Sequence, residues 1–273
     1  LRTELFFLNN KIAPTRAEQQ ALYAEVLAAG PDGEIIVRTL DAGSDKPIAF
    51  LGIGHEKNPA LGVRGQRVAA IAPDFYEDQL HAIKAAADEV KATGKKIEVS
   101  VMAPMIATVE EAQVFSKAAR AAGFARVGIM IEIPAITRVI PLLKGIVDFM
   151  SIGTNDLSQY LFAADRVNSG VAALLDPWQP ALLSLLHSIA QDGAKAGIKV
   201  GVCGEAASDP LLAVVMAGLG INSVSASPSS LAEVLDLLSR VDGPLALKTA
   251  TSALQAKNPR DAKVAAKAAL IEL

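Results

Sequence analysis

The sequence predicts an α/β fold in which helices cover a parallel sheet. Three observations predict it. Short apolar runs alternate with longer helical segments along the chain, as in proteins with parallel strands. Several apolar runs end directly in a polar group, as in VDFMSIGTND at 147–156. The length of 273 residues lies within the usual size of an α/β barrel. We therefore predict a single domain over residues 1–273.

Six apolar runs are predicted as strands because each is short and bounded by polar residues or glycine. They lie at 35–39, 97–102, 127–133, 147–152, 198–203 and 222–226. Helices are predicted at 15–29, 75–93, 109–122, 135–144, 178–196, 209–218, 229–240 and 258–272. A further short strand is predicted from Leu61 to Val68. The first strand is expected to be largely missing, because the chain opens at Leu1 with Arg2 already in a strand-end position.

Several helix ends carry sequence signals. Thr108 followed by Glu111 forms a capping-box pattern, and Asp209-Pro210 places proline just inside a helix start. A glycine closes each of three predicted helices, at Gly94, Gly123 and Gly197. These signals support the helix boundaries given above.

Composition and motifs exclude several classes of protein. The formal net charge is -3, and no basic run resembles a nucleic-acid-binding arm. No uncharged apolar stretch reaches the roughly 18 residues of a transmembrane helix, and LRTELFF is not a signal peptide. No GxGxxG motif, Walker loop or GxSxG motif occurs in the required context. The single cysteine, Cys203, is compatible with a reducing compartment, so we expect a cytoplasmic protein without nucleic-acid or membrane partners.

Two carboxylates follow consecutive predicted strands. Glu132 comes after GIMI, and Asp156 comes after SIGTN with Asn155 beside it. Mg²⁺ prefers oxygen ligands and takes one or two protein carboxylates together with substrate phosphate and water. Each carboxylate alone could equally be a loop residue that caps a helix. Together, at matching strand ends, they predict a metal pair.

Four arginines lie near predicted strand ends, where a buried guanidinium is costly unless it meets an anion. They are Arg2, Arg38, Arg64 and Arg166. Guanidinium groups suit carboxylate and phosphate, so the set predicts an anion site. The alternative is a structural ion pair with a nearby carboxylate, namely Asp41, Asp45 or Glu4.

Cys203 closes the predicted strand at 198–203, where the anion site is expected. A buried, inert thiol is the commonest fate of such a residue, but a thiol at this position could also transfer a proton. The histidines, His55, His81 and His187, have no partners at ligand or triad spacing. Cys203 is therefore the predicted acid.

Seven motifs together resemble those of a known family. They are LRTELFFL, VRTLDAGSDKP, NPALGVRGQR, MAPMIATVEEA, IMIEIPA, SIGTNDLSQYLFAADRVN and VCGEAASDP. In this order they resemble the phosphoenolpyruvate-binding barrel of the phosphoenolpyruvate–protein phosphotransferases, Enzyme I of the bacterial sugar phosphotransferase system. The resemblance covers about residues 1–240.

The resemblance implies a (β/α)₈ barrel that binds phosphoenolpyruvate with Mg²⁺ or Mn²⁺, and it implies roles for matching residues. Glu132 and Asp156 would hold the metal, and Cys203 would protonate the enolate to give pyruvate. Phosphate and carboxylate would be held by Arg2, Arg38, Arg64, Asn155 and Arg166. The implied partners are a phosphohistidine domain, the carrier HPr and a second copy of the chain.

The sequence also departs from the family pattern. Ser44 stands where a second glycine is usual, Val63 replaces a tryptophan, and Val167 replaces the glycine of DRGN. No glycine-rich phosphohistidine motif and no HPr-docking subdomain are found, so we expect a C-terminal piece of a longer enzyme. Two alternatives stay open. One is the barrel of a pyruvate phosphate dikinase, a phosphoenolpyruvate synthase or an Mg²⁺-enolate lyase; the other is a non-catalytic phosphoenolpyruvate-sensing domain.

Overall fold

A computed structural model describes residues 1–43 and 48–270. The chain divides into two compact units. The first contains Leu1–Met130 and Ile146–Asp148, and the second contains Ile131–Gly145 and the chain from Phe149 onward. Within the described ranges, none of the helices is both long enough and apolar enough to cross a membrane.

The first unit contains three parallel strands and three helices. Strands β1 (Gly33–Arg38), β2 (Ile97–Ala103) and β3 (Val127–Ile131) lie side by side in chain order. Helices α1 (Arg16–Ala29), α2 (Pro73–Ala92) and α3 (Val109–Ala121) alternate with them. The register pairs Arg38 with Met102 and Ala103 with Ile129, so the carboxyl ends of the three strands meet at one edge.

The start of the chain lies against β1. Leu1 donates from its amino terminus to Ile36 O at 2.6 Å, and Arg38 N donates to Leu1 O at 2.9 Å. Arg2 and Arg38 form an isolated parallel bridge. Leu1 and Arg2 thus pair in parallel with β1, in agreement with the strand-end position predicted for Arg2.

The prediction of a strand from Leu61 to Val68 is wrong. This stretch contains 3-10 turns at Pro59–Leu61 and Gly65–Ala70. Gly65 has a φ of 58°, which a strand residue does not adopt, and a Cβ there would lie 2.7 Å from Met105 Cγ. The apolar run therefore packs against the end of β2 as a turn.

The second unit also combines parallel strands with helices. Strands β4 (Phe149–Gly153), β5 (Lys199–Cys203) and β6 (Ser223–Ser225) lie in chain order. The helices are α4 (Pro134–Thr137), α5 (Thr154–Phe162), α6 (Pro180–Ala196), α7 (Pro210–Gly218), α8 (Leu231–Ser239), α9 (Gly243–Leu254) and α10 (Pro259–Leu270). Gly153 is paired with Cys203, and Cys203 with Ser225. The two units together confirm the predicted α/β fold of parallel strands followed by helices.

The predicted helix signals are confirmed. Thr108 and Glu111 form the capping box of α3, and Asp209 caps α7 by accepting hydrogen bonds from Leu211 N and Leu212 N. The left-handed glycines Gly94, Gly123 and Gly197 follow α2, α3 and α6. The helix predicted at 135–144 is divided into α4 and a 3-10 segment at Ile140–Leu143, because Pro141 cannot donate the hydrogen bond that would continue it.

Candidate functional site

The first unit contains a buried cluster of two arginines and two acids, which we call the arginine cluster: Glu4, Arg38, Asp41 and Arg64. Arg38 Nη2 donates to Glu4 Oε1 at 2.7 Å, and its Nη1 lies 3.1 Å from Asp41 Oδ2. Arg64 donates through Nε and Nη2 to Asp41 Oδ1 at 3.2 and 3.1 Å, and through Nη2 to Oδ2 at 3.1 Å. Asp41 therefore bridges two guanidinium groups, as a bidentate acceptor for one of them.

The backbone explains how the cluster forms. Arg38 ends β1, so its side chain is placed at the carboxyl edge of the sheet, and Asp41 follows three residues later. Gly43 packs against Arg64, since a Cβ at Gly43 would lie 2.7 Å from Arg64 Cβ. Only glycine allows the two segments to approach this closely.

A neutral hydrogen-bond network supports the same edge. The Tyr76 hydroxyl lies 2.7 Å from Thr39 Oγ1 and also bonds to Gln66. Burial raises the pKa of Tyr76 well above its usual value, so the hydroxyl stays protonated and can donate. Gln79 Oε1 accepts from Leu40 N at 2.9 Å. The two residues that follow Arg38 are thus fixed by side chains of α2 and its preceding turn.

In the second unit, Asp156 and Arg166 form an ion pair. Helix α5 begins immediately after β4, which places Asp156 in its first turn and buries it. Ala163 closes α5 with a left-handed φ of 50°, and Arg166 N then donates to Gln159 Oε1 at 3.2 Å. The returning chain brings Arg166 Nη1 to 3.5 Å from Asp156 Oδ2.

The segments that contain Asn155 and Cys203 are joined by hydrogen bonds just past the ends of β4 and β5. Thr154 Oγ1 donates to Cys203 O at 3.0 Å, and Asn155 Oδ1 accepts from Glu205 N at 3.2 Å. The Cys203 thiol is partly buried and donates to Ile152 O at 3.4 Å. Gly204 has a φ of 99°, and a Cβ there would lie 2.5 Å from Thr154 Oγ1, so glycine is required at this turn.

Glu132 and Asp156 are the groups in the second unit that could hold a divalent cation. Glu132 follows β3 directly and is fully buried, and α4, which begins two residues later, contacts α5. No group of three or more His, Cys, Asp or Glu side chains with metal-binding geometry occurs in residues 1–43 and 48–270. Two buried carboxylates fit Mg²⁺, which takes one or two protein carboxylates and fills its shell with water and substrate oxygens.

Each unit thus brings several of its predicted site residues together. Arg38 and Arg64 meet through Asp41, Asp156 meets Arg166, and Asn155 bonds to Glu205 N, two residues after Cys203. Arg2 shares a backbone bridge with Arg38, but its side chain is exposed. The ion pairs of the alternative interpretation, with Asp41 and Glu4, are present, whereas Asp45 and Ser44 lie outside the described residues.

Sequence reasoning treated Asp41 and Glu4 only as possible ion-pair partners, and it missed Thr154 altogether. The spacing of Arg38 and Asp41, three residues apart after a strand, was a usable signal for the pair. The contact between Thr154 and the Cys203 carbonyl spans 49 positions in sequence and has no local signal.

The second unit also has an open cleft of about 640 Å³ that contains no predicted site residue. Its walls include Trp178, Asp209, Arg260 and Lys263. Trp178 Nε1 donates to Asp209 Oδ2 at 3.1 Å, and Lys263 Nζ lies 3.3 Å from the same oxygen. The Asp209 carboxylate in this cleft is already occupied in capping α7 and accepting from Trp178 Nε1, so the cleft offers no free carboxylate at this position.

A family model and several known proteins match most of this chain. The model of the family described as the PEP-binding domain of PEP-utilising enzymes matches residues 1–242. The phosphoenolpyruvate-protein phosphotransferase of Streptomyces coelicolor is 45% identical over 98% of this chain and 48% of its own length. The multiphosphoryl transfer protein of Rhodobacter capsulatus is 41% identical over 86% of this chain and 28% of its own length. The phosphoenolpyruvate-dependent phosphotransferase system protein of Salmonella typhimurium is 36% identical over 94% of this chain and 35% of its own length. The chain therefore spans less than half the length of these relatives.

Proposed function

The chain belongs to the family of phosphoenolpyruvate-utilising enzymes, as their phosphoenolpyruvate-binding domain, and on that basis we propose that it binds phosphoenolpyruvate with Mg²⁺ or Mn²⁺. We further propose that it supports phosphoryl transfer from this substrate to a histidine of another domain, with release of pyruvate. The observation that carries the proposal is the burial of opposite charges, with Arg38 and Arg64 in the first unit and Glu132 and Asp156 in the second.

The arginines of the first unit suit the anionic parts of the substrate. A guanidinium group offers two parallel N–H donors that match phosphate and carboxylate oxygens. Arg38 and Arg64 are held in place before any ligand arrives, so little side-chain entropy is lost on binding. Arg2, Arg166 and Asn155 add donors in this proposal, and they are proposed from the resemblance of their motifs.

The carboxylates of the second unit would hold the cation. Glu132 and Asp156 provide oxygen ligands in a buried setting, which suits a hard cation. A divalent cation bound there would offset the negative charge of the phosphate. Arg166, 3.5 Å from Asp156 Oδ2, would orient that carboxylate.

Cys203 is the proposed proton donor. Phosphoryl transfer breaks the bond between phosphorus and the enol oxygen, and the electron pair left on that oxygen forms an enolate. The enolate carbon must then take a proton to give pyruvate, and the Cys203 thiol at the end of β5 can supply it. The thiolate that results regains its proton from solvent.

The wider role is proposed from the resemblance of the motifs. One relative is named for a phosphotransferase system. We propose a role at the head of sugar uptake, with HPr as the carrier downstream of the phosphohistidine domain. We also propose a homodimer and a cytoplasmic location.

Titration calorimetry of the chain with phosphoenolpyruvate, in the presence and absence of Mg²⁺, tests the proposal. Binding should require the metal. Glu132→Gln and Asp156→Asn should each abolish the metal-dependent part of the affinity, because a neutral amide is a poor ligand for Mg²⁺.

Asp236→Asn is the matched control. It removes one negative charge from the second unit, where Asp236 forms an exposed surface pair with Arg240. This variant should bind like the wild type. Metal-independent binding, or unchanged binding in both Glu132→Gln and Asp156→Asn, would remove these residues from the proposed site.

A further inference from the structure

We infer that Asp41 is a positioning residue, which fixes the spacing and orientation of the Arg38 and Arg64 guanidinium groups for anion binding. The inference rests on the proposed function, because it concerns how the same arginines meet the phosphoenolpyruvate anion. Asp41 would not touch the substrate but act through the two side chains it bridges.

The bridging geometry is the first support. Asp41 Oδ2 accepts from both arginines at 3.1 Å, and Oδ1 accepts from Arg64 Nε and Nη2 at 3.2 and 3.1 Å. A guanidinium bound through both Nε and Nη2 cannot rotate about its terminal bonds without losing a hydrogen bond. Asp41 therefore sets the plane of the Arg64 guanidinium group and holds Nη1 of Arg38, whose Nη2 is held by Glu4.

The fixed backbone around Asp41 is the second support. Thr39 N donates to Met102 O at 3.0 Å, and Leu40 N donates to Gln79 Oε1 at 2.9 Å. On the other side, Gly43 packs directly against the Arg64 backbone and side chain. The side chain of Asp41 is 2% exposed, so it cannot move into solvent. A carboxylate anchored in this way keeps a fixed position and so restricts the movement of both arginines.

Glu4 differs from Asp41 in this respect. It contacts Arg38 through Oε1 at 2.7 Å, but its buried Oε2 has no hydrogen-bond partner among the described residues. Glu4 therefore holds one guanidinium group, whereas Asp41 is shared by two.

Charge and geometry predict opposite effects of removing Asp41. Loss of a negative charge beside two arginines would, by Coulomb attraction alone, strengthen the binding of an anion. Loss of the bridge would free both guanidinium groups to adopt other orientations and would weaken binding. If Asp41 positions the two arginines, its removal must weaken anion binding.

The experiment measures phosphoenolpyruvate affinity by calorimetry with Mg²⁺ for the wild type, Asp41→Asn and Asp41→Glu. Asp41→Asn should weaken binding at least tenfold. Asp41→Glu keeps the charge but moves the carboxylate by one methylene, so it should also weaken binding. The Nε–Hε resonance of Arg64 should be protected from solvent exchange in the wild type and lose that protection in Asp41→Asn.

Asp148→Asn is the control with the same change in charge. Asp148 pairs with Arg120 at 2.9 Å and accepts from Val127 N, at the amino end of β3 and away from the carboxyl edge of the strands. Its phosphoenolpyruvate affinity should equal that of the wild type. The melting temperature of each variant separates loss of fold from loss of binding.

The outcomes separate this inference from the proposed function. If the wild-type chain does not bind phosphoenolpyruvate, the proposed function is wrong. In that case, titration of the Arg64 Nε–Hε resonance with inorganic phosphate decides whether Asp41 prepares the arginines for an anion. If the wild type binds, and Asp41→Asn and Asp41→Glu bind as tightly or more tightly, the inference is wrong. Protection of the Arg64 Hε proton from solvent exchange in the Asp41→Asn variant would also refute the inference.

Discussion

Arg38 shows how far single residues could be predicted from the sequence. An arginine at the end of the apolar run IIVR predicts a buried charge that needs an anion, and the structure supplies two, Glu4 and Asp41. The sequence could not tell which carboxylate would be shared. That choice depends on Arg64, which lies 23 positions after Asp41 and reaches it only because Gly43 allows the close approach.

Two tyrosines predict how stability responds to alkaline pH. Burial raises the pKa of Tyr23 and of Tyr76 well above the usual value of about 10. The folded state therefore holds these protons at pH values where the unfolded state releases them. Their contribution to stability is complete below about pH 10 and is lost progressively as the pH rises above it.

Urea unfolding between about pH 9 and pH 11 measures this effect. The free energy of unfolding should fall with pH in the wild type and fall less steeply in Tyr23→Phe and Tyr76→Phe. Each variant should also be less stable at neutral pH by about 1 kcal/mol, since Tyr76 bonds to Thr39 and Gln79 donates to Tyr23. Equal slopes in all three proteins would contradict the prediction.

Among the elements, the strands and capped helices were predicted best. All six strands occur within two residues of their predicted ends, because continuous apolar runs bounded by polar residues are strong signals. Helix α5 was missed because polar residues of the predicted site, Asn155 and Asp156, fill its first turn. Helix α9 was missed as well, although Asp242 caps it, because its first residues are Gly243 and Pro244.

The capping box of α3 offers a test at this scale. Glu111 N donates to Thr108 Oγ1 at 3.1 Å, and Glu111 Oε2 accepts from Thr108 N at 3.1 Å. Thr108→Ala should lower the free energy of unfolding by about 1 kcal/mol, the usual loss for an N-cap. Chemical denaturation measures it.

Thr251→Ala is the matched control for this variant. Thr251 is an exposed residue in the C-terminal turn of α9, where its hydroxyl donates to the helix backbone at Leu247 O. Alanine favours a helix interior, so stability should be unchanged or slightly higher. A loss as large as that of Thr108→Ala would show that the capping box contributes nothing specific.

For the molecule as a whole, phosphoryl transfer should depend on an added acceptor. The ring nitrogens of His187 contact Leu219 O and Gln191, and His81 faces Glu77 on the surface of α2. His55, the third histidine, is exposed in a loop. Pyruvate should therefore form only when a phosphorylatable histidine domain is mixed with the chain. Cys203→Ser should bind phosphoenolpyruvate normally but form pyruvate slowly, because a hydroxyl is a much weaker acid than a thiol.

A coupled lactate dehydrogenase assay follows pyruvate in both proteins. Ser151→Ala serves as a control, since it removes a hydroxyl from β4 at a residue that is paired with Gly201 and not with Cys203. Stoichiometric pyruvate from the chain alone would place the acceptor within these residues, or show a different reaction. Equal rates for wild type and Cys203→Ser would remove the thiol from the mechanism.

Trp178 provides an intrinsic fluorescence probe for the second unit. The chain has one tryptophan, and its ring is almost fully buried, with the indole N–H on Asp209 and the Lys263 ammonium 5.6 Å from the ring centroid. Its fluorescence therefore reports whether α10 remains docked beside the start of α7. The first unit has no tryptophan, so its unfolding is silent in this signal but visible by circular dichroism. Recording both signals during denaturation would show whether the two halves of the chain lose their structure in one transition or in two.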